Sequence, residues 1–279
     1  MLKYELLPEQ LLYEGTLTEE NFFSPSPVRE DLILKVHQSE YWRRLKSLEL
    51  TKKEQRATGF PHSIELIERE ITIMGGTVQC AEFALENGIS MNIAGGTHHA
   101  YSDRGEGFCL LNDQALASQW LLENQKAARI LIVDLDVHQG NGTAQIFQLE
   151  PRVFTFSIHG ANNYPLRKEK SDLDIGVPDG ITDSEYLPLV EAHLQTICAE
   201  FKPDFMFYQC GVDILESDKL GRLAVTLEGC KQRDKLVFEK ALELEIPVVC
   251  SMGGGYSEDI KIIIEAHSNT FRLANNLFF

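Results

Sequence analysis

The stretch VDLDVHQGNG sets Asp134, Asp136 and His138 at alternate positions. In an extended chain alternate side chains share a face, so a strand over 129–138 would aim these three one way and Val133, Leu135 and Val137 the other. One aspartate at a strand end is ordinarily a hydrogen-bonded cap, but three ionisable groups on one face need a partner that offsets their burial. A further carboxylate, Asp213, closes the apolar run FYQCGVD. Asp136, His138 and Asp213 would offer a divalent ion two oxygens and one nitrogen with coordination positions left open, the pattern of a catalytic site rather than a structural one. His98 and His99 stand side by side in GGTHHAYSD, and Tyr256 closes the glycine run MGGGY. Singly, such a pair reads as one buried ring beside one solvated ring, and such a tyrosine as a surface residue after a turn. Together the groups make amide hydrolysis possible. A metal ion polarises the carbonyl and acidifies water, an imidazole takes the water's proton, an imidazole protonates the leaving amine, and the phenol donates to the oxyanion.

These groups need a scaffold that gathers them. Short β-rich runs, ISMNIAGG (89–96), RILIVDLDVH (129–138), RVFTFSIH (152–159), DFMFYQCGVD (204–213) and IPVVCSMGGGY (246–256), alternate with stretches of helical apolar spacing. Those stretches are DQALASQWLLENQ, SEYLPLVEAHLQTICAEF and CKQRDKLVFEKALELE. Strands alternating with helices predict an α/β fold with a central parallel sheet flanked by helices on both faces. The chemically interesting residues all follow strands, and open α/β sheets gather their sites at the carboxyl ends of strands. The first ~90 residues read as mostly helical with a turn at SPSPV, a helical layer on the same core, so one domain over 1–279 is expected.

Composition narrows the partners. With 42 acidic against 26 basic residues the net charge is −16, a field that repels nucleic-acid phosphates and anionic membranes and draws in cationic peptides and amines. The six cysteines, Cys80, Cys109, Cys198, Cys210, Cys230 and Cys250, have no CxxC spacing, which points away from a disulfide framework or a zinc–thiolate site and toward a reducing, cytoplasmic setting. No run approaches the ~18 apolar residues of a membrane span, and MLKYELLPEQ lacks the apolar core of a signal peptide.

GGTHHAYSDRGEGFCLLND, VDLDVHQGNG, GVDILESDKLGRLAVT and GGGY follow one another in an order that resembles the successive motifs of histone deacetylases of the arginase/deacetylase fold. The resemblance covers nearly the whole chain, and SDRGEGF, HQGNG and VDILESDKLG are most similar to the class IV branch and its bacterial relatives. It implies a zinc-dependent hydrolase, with Fe²⁺ as an alternative ion, that removes acetyl or longer fatty acyl groups from lysine side chains of a protein or peptide. It implies Asp136, His138 and Asp213 as zinc ligands, His98 and His99 as the acid/base pair, Tyr256 as the oxyanion donor and Asp134 as the partner of His98. Phe108 and Tyr164, with Gly107 and Gly254, would line the acyl-lysine tunnel. Oxygens of Asp134, Asp136, His138, Ser157 and Ile158 would hold a monovalent cation, K⁺.

Two departures stand out. Where most of the family places an aspartate beside the second histidine, this chain has Asn141, as class IV members do; an amide lacks the charge that raises an imidazole pKa, so His99 is expected neutral and ready as base. The family also has a first strand and a histidine- and proline-containing loop before the position where MLKYELLPEQ begins, so an edge strand and a rim loop are expected to be missing. A binuclear manganese ureohydrolase of the same fold is excluded by ligand count, because Gly140, Gly211 and Leu215 stand where further carboxylates would be needed. Acylated polyamines or other small amides stay open as substrates. A catalytically impaired acyl-lysine-binding module is disfavoured by the intact His98, His99 and Tyr256.

Overall fold

The computed structural model describes residues 2–279. Among the described residues five α-helices and one short 3-10 turn (Glu19–Asn21) precede the first strand: α1 (Lys3–Tyr13), α2 (Glu30–Val36), α3 (Ser39–Lys46), α4 (Lys52–Thr58) and α5 (Ile64–Asn87). The long α5 starts where the Ser63 hydroxyl accepts the Leu66 amide and stops at Gly88, whose φ of 83° the helix could not continue. From there strands and helices alternate: β1 (Ile89–Asn92), α6 (Asp113–Glu123), β2 (Ile130–Asp134), α7 (Asn141–Phe147), β3 (Val153–Gly160), β4 (Leu173–Val177), α8 (Asp183–Phe201), β5 (Phe205–Gln209), α9 (Leu227–Glu243), β6 (Val248–Ser251) and α10 (Ile260–Phe278).

The six strands form one parallel sheet in the order β1-β6-β5-β2-β3-β4. Its two faces are covered by different helices, as the near-continuous apolar runs require. Ile130, Ile132, Phe205 and Phe207 pack against the layer that contains α2, α3, α5 and α6. Leu131, Val133, Met206 and Tyr208 pack against α8, α9 and α10 through Val190, Leu194, Val237, Phe238 and Ile263. The residues before β1 therefore lie on the same core as the sheet. Each fully buried aliphatic side chain here contributes about 1.5–3 kcal/mol relative to exposure.

Two local expectations change. The strand expected over 129–138 ends at Asp134, because beyond it the chain leaves the ladder and its amides turn to carboxylates: Asp136 N donates to Asp134 Oδ1 at 3.2 Å and Val137 N to Asp213 Oδ1 at 3.0 Å. β4 corresponds to none of the β-rich runs of the sequence. It is a half-exposed edge strand, LDIGV, whose aspartate and glycine give no run of β-formers.

The connections after β2 run toward β3 and β4, and those after β5 run toward β6. β2 and β5 are neighbours whose chains leave in opposite directions, which opens a crevice at their carboxyl ends. Asp136 and His138 follow β2, and Asp213 follows β5.

Candidate active site

A buried arginine sets the two turns that carry the candidate ligands. Arg233 of α9 is fully buried, donates through Nη1 to Leu135 O at 3.2 Å and Gly211 O at 2.6 Å, and through Nη2 to Cys210 O at 3.2 Å. Its charge is matched by Asp234, 2.7 Å away, which also accepts from Tyr208 Oη and Thr270 Oγ1. One guanidinium thus pins the backbone on either side of the crevice, just before Asp136 and Asp213. The sequence offers no sign of this, since a basic residue in CKQRDKLVF reads as solvent-facing.

Asp136, His138 and Asp213 converge, each offering a ligand atom within 4.8 Å of the others, and they are the metal-capable group among the described residues. His138 Nδ1 lies 3.1 Å from both Asp136 Oδ1 and Asp213 Oδ2. Burial alone would lower the His138 pKa, but the two carboxylates outweigh it and raise it to about 10. The ring nitrogen thus faces two anions, as it would face the cation they share. Burial and the neighbouring Asp136 raise the Asp213 pKa to about 6. Such a crowded anionic pair is relieved by a dication. Gly254 leaves the room this needs, because a Cβ there would lie 1.9 Å from Asp213 Oδ2 and 2.9 Å from Asp136 Oδ2. Its amide donates to Asp136 Oδ2 at 2.9 Å. The donor set, its burial and this cradle fit one zinc or ferrous ion.

The two histidines stand above these ligands. Their rings lie 4.1 Å apart, with His99 6.0 Å from His138. Asp113 at the start of α6 holds the turn that presents them, accepting from Gly96 N, Thr97 N and Thr97 Oγ1 at 2.8–3.0 Å. His98 Nδ1 bonds Asp134 Oδ2 at 2.7 Å, and His99 Nδ1 bonds Asn141 Oδ1 at 2.6 Å. Both partners are acceptors, so Nδ1 carries the proton in each ring and Nε2 is left as the reactive nitrogen. The orientation of the Asn141 amide follows from its Nδ2, which donates to Tyr101 Oη at 3.0 Å. Their charges diverge sharply. Burial would depress His98, but Asp134 and Asp136 overcome it and raise the pKa to about 9. His99, also buried and facing His98 and His138, is pushed well below the ordinary value.

These groups face a cavity of about 390 Å³ whose lining includes Phe108, Tyr164 and Tyr256. Phe108 is 47% exposed at the mouth, and its ring lies 6.2 Å from that of Tyr256. The Tyr164 ring meets His99 edge-on at 5.0 Å, and its hydroxyl donates to Glu106 Oε2 at 2.8 Å. Gly107 has φ +52°, and a Cβ on it would lie 2.6 Å from His99 Cδ2. Tyr256 is held by its amide, which donates to Asp218 Oδ2 at 2.6 Å; burial and then Asp213 push its phenol pKa up, so it stays a proton donor. Ser157 sits on β3 beside Asp134 of β2. Its hydroxyl is taken by His159 Nδ1 at 2.9 Å, and Ile158 is buried in the core beneath. A larger groove of about 730 Å³ along β1 contains none of these groups.

The model of the histone deacetylase domain matches residues 2–270. The chain belongs to the histone deacetylase family. It is 44% identical over 279 residues to an uncharacterized protein of Picosynechococcus sp., covering 100% of this chain and 93% of that one. It is 31% identical over 274 residues to Histone deacetylase 2 of Arabidopsis thaliana, covering 94% of this chain and 70% of that one. The solved structure of a histone deacetylase homologue from Aquifex aeolicus shares the fold, with a TM-score of 0.81 at 23% identity over 97% of this chain and 76% of that one. The arginase/deacetylase fold inferred from the ordered motifs is therefore shown, and the chain is a hydrolase of the deacetylase kind. No helix of the described residues is long and apolar enough to cross a membrane.

Proposed function

We propose that the protein is a zinc-dependent lysine deacylase with one catalytic ion per chain. The observation that carries this is the convergence of Asp136, His138 and Asp213 beneath two histidines of opposite charge preference, all facing one cavity walled by aromatic rings. A zinc ion held by those three residues, or Fe²⁺ in its place, supplies Lewis acidity to the amide carbonyl and lowers the pKa of water toward neutrality.

The chain's own groups do the rest. Neutral His99, with its Nδ1 proton fixed by Asn141, accepts the proton of the attacking water at Nε2. His98, whose protonated form Asp134 stabilises, gives a proton to the departing lysine amine. Tyr256 donates to the developing oxyanion. Phe108 and Tyr164 sandwich the lysine methylenes, with Gly107 and Gly254 letting the chain approach. Oxygens of Asp134, Asp136, His138, Ser157 and Ile158 would hold a K⁺ ion, whose charge would offset part of that of the two aspartates. The amide at Asn141 supports placement with the class IV-like branch.

A second reading has a specific basis: the net charge of −16 attracts acylated polyamines as strongly as it attracts lysine peptides. Turnover of an acyl-lysine peptide panel by the zinc-loaded protein, with acetylpolyamines alongside, decides between them. Peptide turnover alone supports the proposal, polyamine turnover alone replaces its substrate, and hydrolysis of neither overturns it.

A further inference from the structure

The hydrogen bonds that begin at His99 do not stop at Asn141. Asn141 Nδ2 donates to Tyr101 Oη at 3.0 Å, and Tyr101 Oη donates to Glu169 Oε1 at 3.2 Å. A phenol has one proton to give, and a carboxylate only accepts. With that proton directed at Glu169, Tyr101 Oη meets Asn141 through a lone pair, so it takes the amide nitrogen and not the amide oxygen. The amide oxygen then faces His99 Nδ1 at 2.6 Å, which leaves the ring proton on Nδ1 and Nε2 bare. The direction of the whole series is set at its far end, by an anion. An amide needs this where a carboxylate would not. The two oxygens of a carboxylate are alike, but Asn141 turned over would offer Nδ2 to His99, place the ring proton on Nε2 and remove the base.

Both outer residues are firmly held. Tyr101 is buried; its amide donates to Arg104 O at 2.8 Å, and its carbonyl accepts from His37 Nδ1 at 2.9 Å. The Arg104 guanidinium lies 3.5 Å from the centroid of the Tyr101 ring and is itself paired with Asp103 and Glu106, so stacking fixes the plane of the phenol. Glu169 is gripped by the turn that carries Asn141. Its amide donates to Gln139 Oε1 at 2.9 Å, and its carbonyl accepts from Gln139 Nε2 at 2.8 Å. One turn therefore sets the place of the anion through Gln139 and receives its influence back through Asn141.

We propose that Tyr101 and Glu169 are positioning residues for His99: the Glu169 carboxylate, acting through the Tyr101 hydroxyl, fixes the orientation of the Asn141 amide and with it the tautomer that leaves His99 Nε2 free to act as base. This deepens the reading of His99 as the base and rests on it for the effect on rate, though the tautomer is a property of the resting protein. Neither Tyr101 nor Glu169 lines the cavity, so their loss should lower kcat and leave KM in place.

The test joins a spectroscopic readout to a double-mutant cycle. In protein with isotope-labelled histidine rings, nitrogen NMR at roughly pH 8 reads the tautomer of His99, whose signals are assigned by their absence in His99→Gln. The native ring should show Nδ1 protonated and Nε2 bare. In Tyr101→Phe the two nitrogen signals should move toward each other as the other tautomer becomes populated, and Glu169→Gln, whose side chain can donate as well as accept, should move them part of the way. In the zinc-loaded protein Tyr101→Phe should lower kcat about three- to tenfold with KM within about twofold. In the Asn141→Asp background the same change should cost less than about twofold in kcat at the alkaline plateau, because a carboxylate has no orientation to lose. His99 signals unmoved in both variants, or an equal loss of kcat in both backgrounds, overturns the proposal. If the native zinc-loaded protein hydrolyses no acyl-lysine peptide, the proposed function fails, and the tautomer signals alone still decide the positioning.

Discussion

Asn141→Asp tests the division of labour between the two histidines. In the native chain the amide oxygen 2.6 Å from His99 Nδ1 fixes the tautomer but brings no charge. A carboxylate in the same place would face the imidazolium directly, and an opposite charge at such range raises a pKa by about 1–3 units. Two features temper the gain. The new carboxylate would be as buried as Asn141, which is 1% exposed, and Tyr101 Oη, which now accepts from Asn141 and donates to Glu169 at 3.2 Å, has one proton to share between two anions. We expect a rise of about 2 units, worth about 3 kcal/mol of preference for the charged ring. Because His99 must be neutral to act as base, the acid limb of kcat/KM should move up by about that amount, while the alkaline plateau stays within about threefold. The assay is the kcat/KM profile on one acyl-lysine peptide from roughly pH 5.5 to 9.5 for both proteins. An unmoved acid limb, or a uniform fall at every pH, would refute the assignment of His99 as a base kept neutral by its surroundings.

Arg233→Met should destabilise the fold by about 3–5 kcal/mol, since it strands Asp234 as a buried, uncompensated charge; urea unfolding checks this, and a loss under about 1 kcal/mol would show that the clamp contributes little. A pH effect follows from His37, which is buried, accepts Asn112 N at Nε2 and has its pKa lowered by burial to about 4. The unfolded chain takes up a proton below about pH 6.5 that the native ring refuses, so stability falls from there to about pH 4, by about 3 kcal/mol in all. Urea midpoints at pH 7 and about 4.5 should show this, and His37→Gln should flatten the difference; an equally steep fall in the variant would remove His37 as its source.

The site was legible where its signal was periodic. Asp134, Asp136 and His138 alternate with Val133, Leu135 and Val137, and that alternation survives although β2 ends at Asp134, because Leu135 and Val137 remain in the core. Apolar β-rich runs between amphipathic helices likewise marked β1, β2, β3, β5 and β6. What stayed hidden depends on packing between distant elements. Arg233 and Lys3 are charged residues in helices, where the default is a solvated face, and only the tertiary structure shows each buried against backbone carbonyls. Asp113 belongs to a family-like stretch, FCLLND, but nothing in that string says it accepts the amides of the histidine turn.

The most direct measurement is metal content against turnover in one preparation. The chelated protein is reloaded with substoichiometric zinc, and bound ion and acyl-lysine hydrolysis are followed together, with Asp213→Ala alongside. Activity should rise in proportion to zinc and stop at one ion per chain, with neither binding nor turnover in the variant. Saturation at two ions per chain, full occupancy in Asp213→Ala, or hydrolysis that persists in the chelated protein would contradict a single-ion site at Asp136, His138 and Asp213.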